Sequence, residues 1–111
     1  MSNFLINTIE YYEAPNGKVP FKEWINSLSD RKAQEIIDTR ITNVERGVFG
    51  DCEPVGGGVN ELKIHYGPGY RIYFGQAGKL IILLLCGGTK KNQNADINKA
   101  RQYWEEYRSE G

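Results

Sequence analysis

Asn60-Glu61-Leu62-Lys63-Ile64-His65-Tyr66, Gly67-Pro68-Gly69 and Tyr70-Arg71-Ile72-Tyr73-Phe74 follow one another without interruption, and their pattern decides the fold. The first run alternates. Asn60, Leu62, Ile64 and Tyr66 fall on one face of a strand, and Glu61, Lys63 and His65 on the other. Gly-Pro-Gly is a turn signal. The third run alternates again, with Tyr70, Ile72 and Phe74 opposed to Arg71 and Tyr73. The pattern is a β-hairpin with one apolar face and one polar face. A three-residue turn at 67–69 sets Ile64 opposite Ile72 and Leu62 opposite Phe74. The same register sets His65 opposite Arg71 and Lys63 opposite Tyr73, with facing Cβ atoms about 5 Å apart. A one-residue slip would expose the apolar set, so the choice of faces is strongly constrained.

Outward from this hairpin, Gly75-Gln76-Ala77-Gly78 reads as a second turn. Lys79 to Cys86 then reads as a central strand, apolar on both faces after Lys79, and Gly87-Gly88 ends it. From Asp96, residues Ile97, Ala100, Tyr103, Trp104 and Tyr107 carry helical spacing. Toward the N-terminus, residues 48–58 contain Pro54 and the run Gly56-Gly57-Gly58, read as a loop and flexible connector. Before it, Ala33, Ile36, Ile37, Ile41 and Val44 form an apolar helical stripe, with Ser29 as its cap and Gly47 as its stop. Phe21, Trp24, Ile25 and Leu28 form another, with Pro20 in the first helical position. Phe4 to Tyr12, rich in aromatic and β-branched residues, favours a first strand.

The expected order is strand, helix, helix, a meander of three strands, helix. Grouped helices beside a meander indicate an α+β fold: a small antiparallel sheet with two N-terminal helices and a C-terminal helix. A chain of 111 residues suits one domain, 1–111. Hydrophobic residues at 40% and charged residues at 25% are ordinary globular usage, which excludes a disordered or fibrous chain. The longest apolar run, Leu80 to Cys86, is too short to span a bilayer, and no Lys or Arg precedes Tyr12 as in a signal peptide. The expected compartment is the cytoplasm. Two cysteines, Cys52 and Cys86, make neither a disulfide framework nor a zinc motif, and a single histidine excludes a multi-histidine metal site.

The net charge is zero, but the charge is segregated. Residues 1–58 carry a net of −3, residues 59–101 a net of +5 and residues 102–111 a net of −2. The basic middle block contains the polar face of the hairpin. Arg71 has a planar fork suited to phosphate oxygens. Lys63 can serve as a cation or, with a depressed pKa, as a base. Histidine is the side chain whose ordinary titration spans neutrality, which suits His65 to proton transfer. Tyr73 can orient a nucleophile or stack on a base. After the central strand, Thr89, Lys90, Lys91, Asn92 and Gln93 add further donors for phosphate. A solvated sheet face with a cross-strand charge cluster has the same pattern. Only Glu61 and Asp96 are acidic in this block, which disfavours two-carboxylate chemistry.

The segment Asn60 to Phe74, with Leu83-Leu84-Leu85-Cys86-Gly87-Gly88-Thr89-Lys90-Lys91-Asn92-Gln93 and then Asp96-Ile97 and Lys99-Ala100, resembles the core of the RelE/ParE toxin superfamily. It is most similar to the HigB-like branch, the addiction module killer proteins. The resemblance covers nearly the whole chain. It implies the toxin of a type II toxin–antitoxin module: a cytoplasmic, cofactor-free and metal-independent endoribonuclease that cuts mRNA on the ribosome. The implied partners are a cognate antitoxin, often of helix-turn-helix type, and ribosome-bound mRNA, with operator DNA reached only through the antitoxin complex. It also implies roles. Arg71 matches the strand arginine that grips the phosphate, and Lys63 falls where members carry a basic residue proposed as base. Lys90 or Lys91 falls where a basic residue acts as acid or charge stabiliser, with His65, Tyr73, Thr89 and Gln93 in support. Members of ParE type share the fold and poison DNA gyrase instead, so fold alone leaves that alternative open.

Overall fold

A computed structural model describes residues 6–110; Phe4 and Leu5 of the expected first strand lie outside the described residues. Pro20 opens the first helix, α1 (Pro20–Ser27), where its missing N–H costs nothing. The second, α2 (Arg31–Glu45), is capped by Asp30 and not by Ser29: the Asp30 carboxylate accepts from the Ala33 N–H at 3.1 Å. Its stripe buries Ala33, Ile37 and Val44, and Gly47 follows the helix at a φ of 85°.

The strands are β1 (Thr8–Tyr11), β2 (Cys52–Gly56), β3 (Val59–Ile64), β4 (Tyr70–Gly78) and β5 (Ile81–Thr89). They form one five-stranded sheet in the order β1-β5-β4-β3-β2. This corrects the expected antiparallel sheet in two respects. First, β1 runs parallel to β5, because the chain crosses both helices and three strands before returning beside it. Second, residues 52–56 are a strand and not part of a loop: β2 pairs antiparallel with β3 across a turn at Gly57-Gly58. Gly57 and Gly58 adopt φ values of 66° and 88°, which only glycine takes readily, so the triple glycine makes a tight turn.

The β3–β4 register is also corrected. Ile64 pairs with Tyr70, Lys63 with Arg71, Leu62 with Ile72 and Glu61 with Tyr73. The connection is five residues, 65–69, closed by the Gly69 N–H donating to the Tyr66 carbonyl at 3.0 Å. The shift of two residues keeps every side chain on its expected face and changes every cross-strand partner. His65 therefore leaves the ladder and sits in the turn.

Glycines expected to end strands instead lie within them. Gly75 continues β4, and Gly87 and Gly88 continue β5. A Cβ on Gly75 would overlap the Trp104 ring, and one on Gly87 the Trp24 ring. These positions are bare so that indoles can lie on the backbone. Helix α3 (Gln93–Glu110) begins three residues earlier than expected, and the helical elements gain a short 3-10 turn at Lys90–Asn92 leading into it.

Helices α1 and α2 cover one face of the sheet, over Phe21, Ile37, Leu62, Ile72, Phe74 and Leu84. Helix α3 covers the other, over Tyr12, Val59, Tyr73, Leu83, Leu85, Ala100 and Trp104. The face expected to be open and polar is thus roofed over much of its area. Among the described residues, no helix is long and apolar enough to cross a membrane.

Candidate functional site

Under the start of α3, the roofed face holds a buried polar cluster. Glu61 is 0% exposed and Arg71 is 5% exposed. One oxygen of Glu61, Oε2, accepts from the Tyr73 hydroxyl at 2.9 Å and from Gln93 Nε2 at 2.8 Å. Arg71 Nε lies 3.8 Å from the same oxygen, an ionic contact too long for a hydrogen bond. Glu61 Oε1 and Arg71 Nε are buried without hydrogen-bond partners. A charge removed from water needs an opposite charge beside it, and each of these two residues is the other's.

Arg71 also lines a cavity of about 410 Å3 at the hairpin turn, together with His65, Tyr66, Gly69 and Lys90. The Lys90 N–H donates to the Gly69 carbonyl at 2.7 Å, which ties the 3-10 turn to the hairpin. Gly69 has a φ of 83°, and a Cβ there would meet Lys90 Cβ at 3.4 Å, so glycine lets the two segments approach. The cavity is thereby cationic on the two sides given by Arg71 and Lys90. Lys91 is exposed and lies outside this lining.

The structure redistributes the other expected residues. Lys63 Nζ pairs with Glu53 at 2.6 Å, and this bond holds the ammonium above its ordinary pKa, opposite to what a base needs. Tyr73 is buried, and burial with its bond to Glu61 pushes the phenol far above its ordinary range. It acts as a fixed donor to Glu61 and cannot stack on a base. His65 Nε2 lies 2.6 Å from Asp51 Oδ2, and this bond holds the Asp51 carboxyl below its usual range. Thr89 pairs with Tyr70 at the end of the sheet, and Gln93 supports Glu61. Arg71, Lys90 and His65 therefore share one cavity, while Lys63, Lys91, Tyr73, Thr89 and Gln93 do not line it.

Sequence reasoning missed Glu61 and Asp51. Glu61 carries a signal: it lies on the strand face of Lys63, as the lone carboxylate opposite a strand containing Arg71. Asp51 carries none, because β2 brings it to His65 from the segment read as a loop.

Both thiols are held above their ordinary pKa. Burial pushes Cys86 up to about 12, and burial also raises Cys52. In the folded protein near pH 8, iodoacetamide is expected to modify Cys86 far more slowly than a free thiol, with full labelling only after denaturation. Rapid labelling of native Cys86, read by mass spectrometry, would contradict its placement.

No family model matches the chain. A protein of Haemophilus influenzae (strain ATCC 51907 / DSM 11121 / KW20 / Rd), described as an uncharacterized protein, is 38% identical over 81 residues. The match spans 73% of this chain and 82% of that protein. The chain belongs to the same family as this Haemophilus influenzae protein.

Proposed function

We propose that the chain is the toxin of a type II toxin–antitoxin module, of the RelE/ParE superfamily and its HigB-like branch, and that it cleaves mRNA on the ribosome. The observation that carries the reading is the convergence of Arg71 and Lys90 on one cavity, with Glu61 buried behind the arginine. The α+β architecture supports it as background. The antitoxin, of helix-turn-helix type, is the proposed protein partner, and operator DNA is reached through the complex with it.

In this reading the substrate phosphate sits between Arg71 and Lys90. The ribose 2′-oxygen attacks phosphorus and the bond to the 5′-oxygen breaks. The products are a 2′,3′-cyclic phosphate and a free 5′-hydroxyl. The proton leaving the 2′-hydroxyl goes to His65, whose Nε2 is engaged by Asp51 and whose Nδ1 remains for the substrate. The 5′-oxygen takes a proton from the Lys90 ammonium. Charge on the phosphorane is greatest in the transition state, so Arg71 and Lys90 act where stabilisation counts most.

This reading gives the two adjacent lysines different roles. On translating ribosomes, Lys90→Ala is expected to slow cleavage about 10²-fold, while Lys91→Ala stays close to wild type. Equal losses in both variants, measured by primer extension on a defined message, would overturn the assignment to this cavity.

A further inference from the structure

We infer that the outer edge of β1 is a docking site for an extended segment of a partner protein, apolar and basic in character, which adds to the sheet as a further strand. The inference rests on that edge and is independent of the cleavage reading.

Among the described residues, the large apolar side chains left exposed gather around β1. Ile6 is 52% exposed, Tyr11 39%, Val48 59% and Leu80 51%. Ile6 precedes the strand by two residues, and Tyr11 is its last residue. The Leu80 carbonyl accepts from the Thr8 N–H at 2.6 Å. Val48 follows the end of α2, where the Glu45 carbonyl accepts from the Ile6 and Asn7 N–H groups. Apolar exposure concentrated in one place marks an interaction surface, whereas scattered exposure does not.

Among the described residues, nothing pairs with the backbone at this edge. Thr8 and Tyr12 donate to Leu80 and Leu84, so the even-numbered residues face β5. By alternation, the N–H and C=O groups of Ile9 and Tyr11 point outward, and no described residue pairs with them. The opposite edge of the sheet is guarded. There β2 carries Pro54 and a register irregularity between Pro54 and Gly56. Proline and bulges are devices that block strand addition. Between its ends, β1 has no proline, lysine or bulge.

Beside this edge runs a groove of about 480 Å3, with Ile9, Phe21, Ile25 and Ile41 in its lining. Alternate apolar side chains of an added strand would enter it. Its charged lining is Asp38 and Glu45 against Lys22, and Lys22 lies over the Tyr11 ring at 4.7 Å from the centroid. Glu10 is exposed on the strand itself. The surplus is acidic, which selects a basic segment. A second copy of this chain fits poorly. The antiparallel two-fold register that uses both outward residues pairs Ile9 with Tyr11 and sets Glu10 against Glu10, and like charges directly opposed are unfavourable.

The test uses the full chain, 15N-labelled, with the blocked peptide Lys-Val-Arg-Ile-Lys-Val as probe and Glu-Val-Glu-Ile-Glu-Val as its acidic counterpart. The basic peptide, at up to millimolar concentration, is expected to slow hydrogen exchange of the Ile9 and Tyr11 amides about tenfold, and the acidic one to leave them unchanged. Tyr11→Pro removes an outward N–H and no bond to β5, so it is expected to keep the fold and lose the protection. Tyr11→Phe is expected to retain it. Unprotected amides, or perturbations confined to Arg71 and Lys90, would overturn the inference. So would a dimer of the free chain in sedimentation that Tyr11→Pro dissolves, since the occupant would then be a second copy. The wild-type exchange measurement decides the matter even if Tyr11→Pro does not fold.

Discussion

Replacing Arg71 with alanine is expected to remove activity and stability together. In the proposed reaction, loss of one charge-stabilising group is expected to lower the rate about 10²–10³-fold. The same change strands Glu61, a fully buried carboxylate whose salt-bridge partner among the described residues is Arg71. Breaking a buried pair by removing one partner costs about 3–5 kcal/mol. For a domain of this size that is a large part of the total stability, about 5–15 kcal/mol. A loss of toxicity in Arg71→Ala alone would therefore say little about chemistry. The informative variant is Arg71→Met combined with Glu61→Gln. It fills the same space and leaves no lone charge, so most of the stability is expected to return while activity does not. Urea unfolding separates the two effects. If Arg71→Ala unfolds at the wild-type midpoint, Glu61 and Arg71 are not an energetic pair.

The second large effect concerns how α3 is held. Trp104 is nearly buried, and its ring occupies the space that a Cβ on Gly75 would need. Trp104→Ala is expected to cost about 3–5 kcal/mol through lost burial and the cavity left behind. Gly75→Ala overpacks the same contact and costs about 1–3 kcal/mol or more. The two changes are in contact, so they are not additive. Once Trp104 is alanine, the new methyl on residue 75 has room, and the penalty for Gly75→Ala falls close to zero. Four unfolding curves complete the cycle. Simple addition of the two penalties would mean that the indole does not rest on Gly75. Because Gln93 at the start of α3 also holds Glu61, loosening the helix is expected to weaken the site as well.

The elements were legible where local signals suffice. Pro20 and the spacing of Phe21, Trp24 and Ile25 mark α1, and alternation through Leu62, Ile64, Ile72 and Phe74 marks both strands and the face they bury. Long-range facts were not legible. No local pattern says that β1 lies parallel to β5. The pairing of residues 52–56 with β3 was hidden by Pro54 and three glycines, which read as a loop but serve an edge strand and a tight turn. Gly75, Gly87 and Gly88 read as punctuation, because the bulky partners that require them lie elsewhere in the chain. The site was half legible for the same reason. Arg71 and Lys90 were readable as phosphate-seeking residues. The two-residue change of register took Lys63 and Tyr73 away from the partners expected for them. In the sequence Glu61 counts only as one of two acidic residues in a basic block, yet it is the group around which Arg71, Tyr73 and Gln93 are arranged.

Cleavage of mRNA on the ribosome at the cavity formed by Arg71, Lys90 and His65 is the proposed activity. The most direct measurement is induced expression of the chain without any partner, beside the folded Arg71→Met, Glu61→Gln variant, with new 5′ ends mapped across cellular mRNA. Growth arrest is expected, with cuts in translated frames that vanish in the variant, in cells whose DNA supercoiling is unchanged. Arrest without new mRNA ends, accompanied by loss of gyrase supercoiling, would contradict the proposed activity.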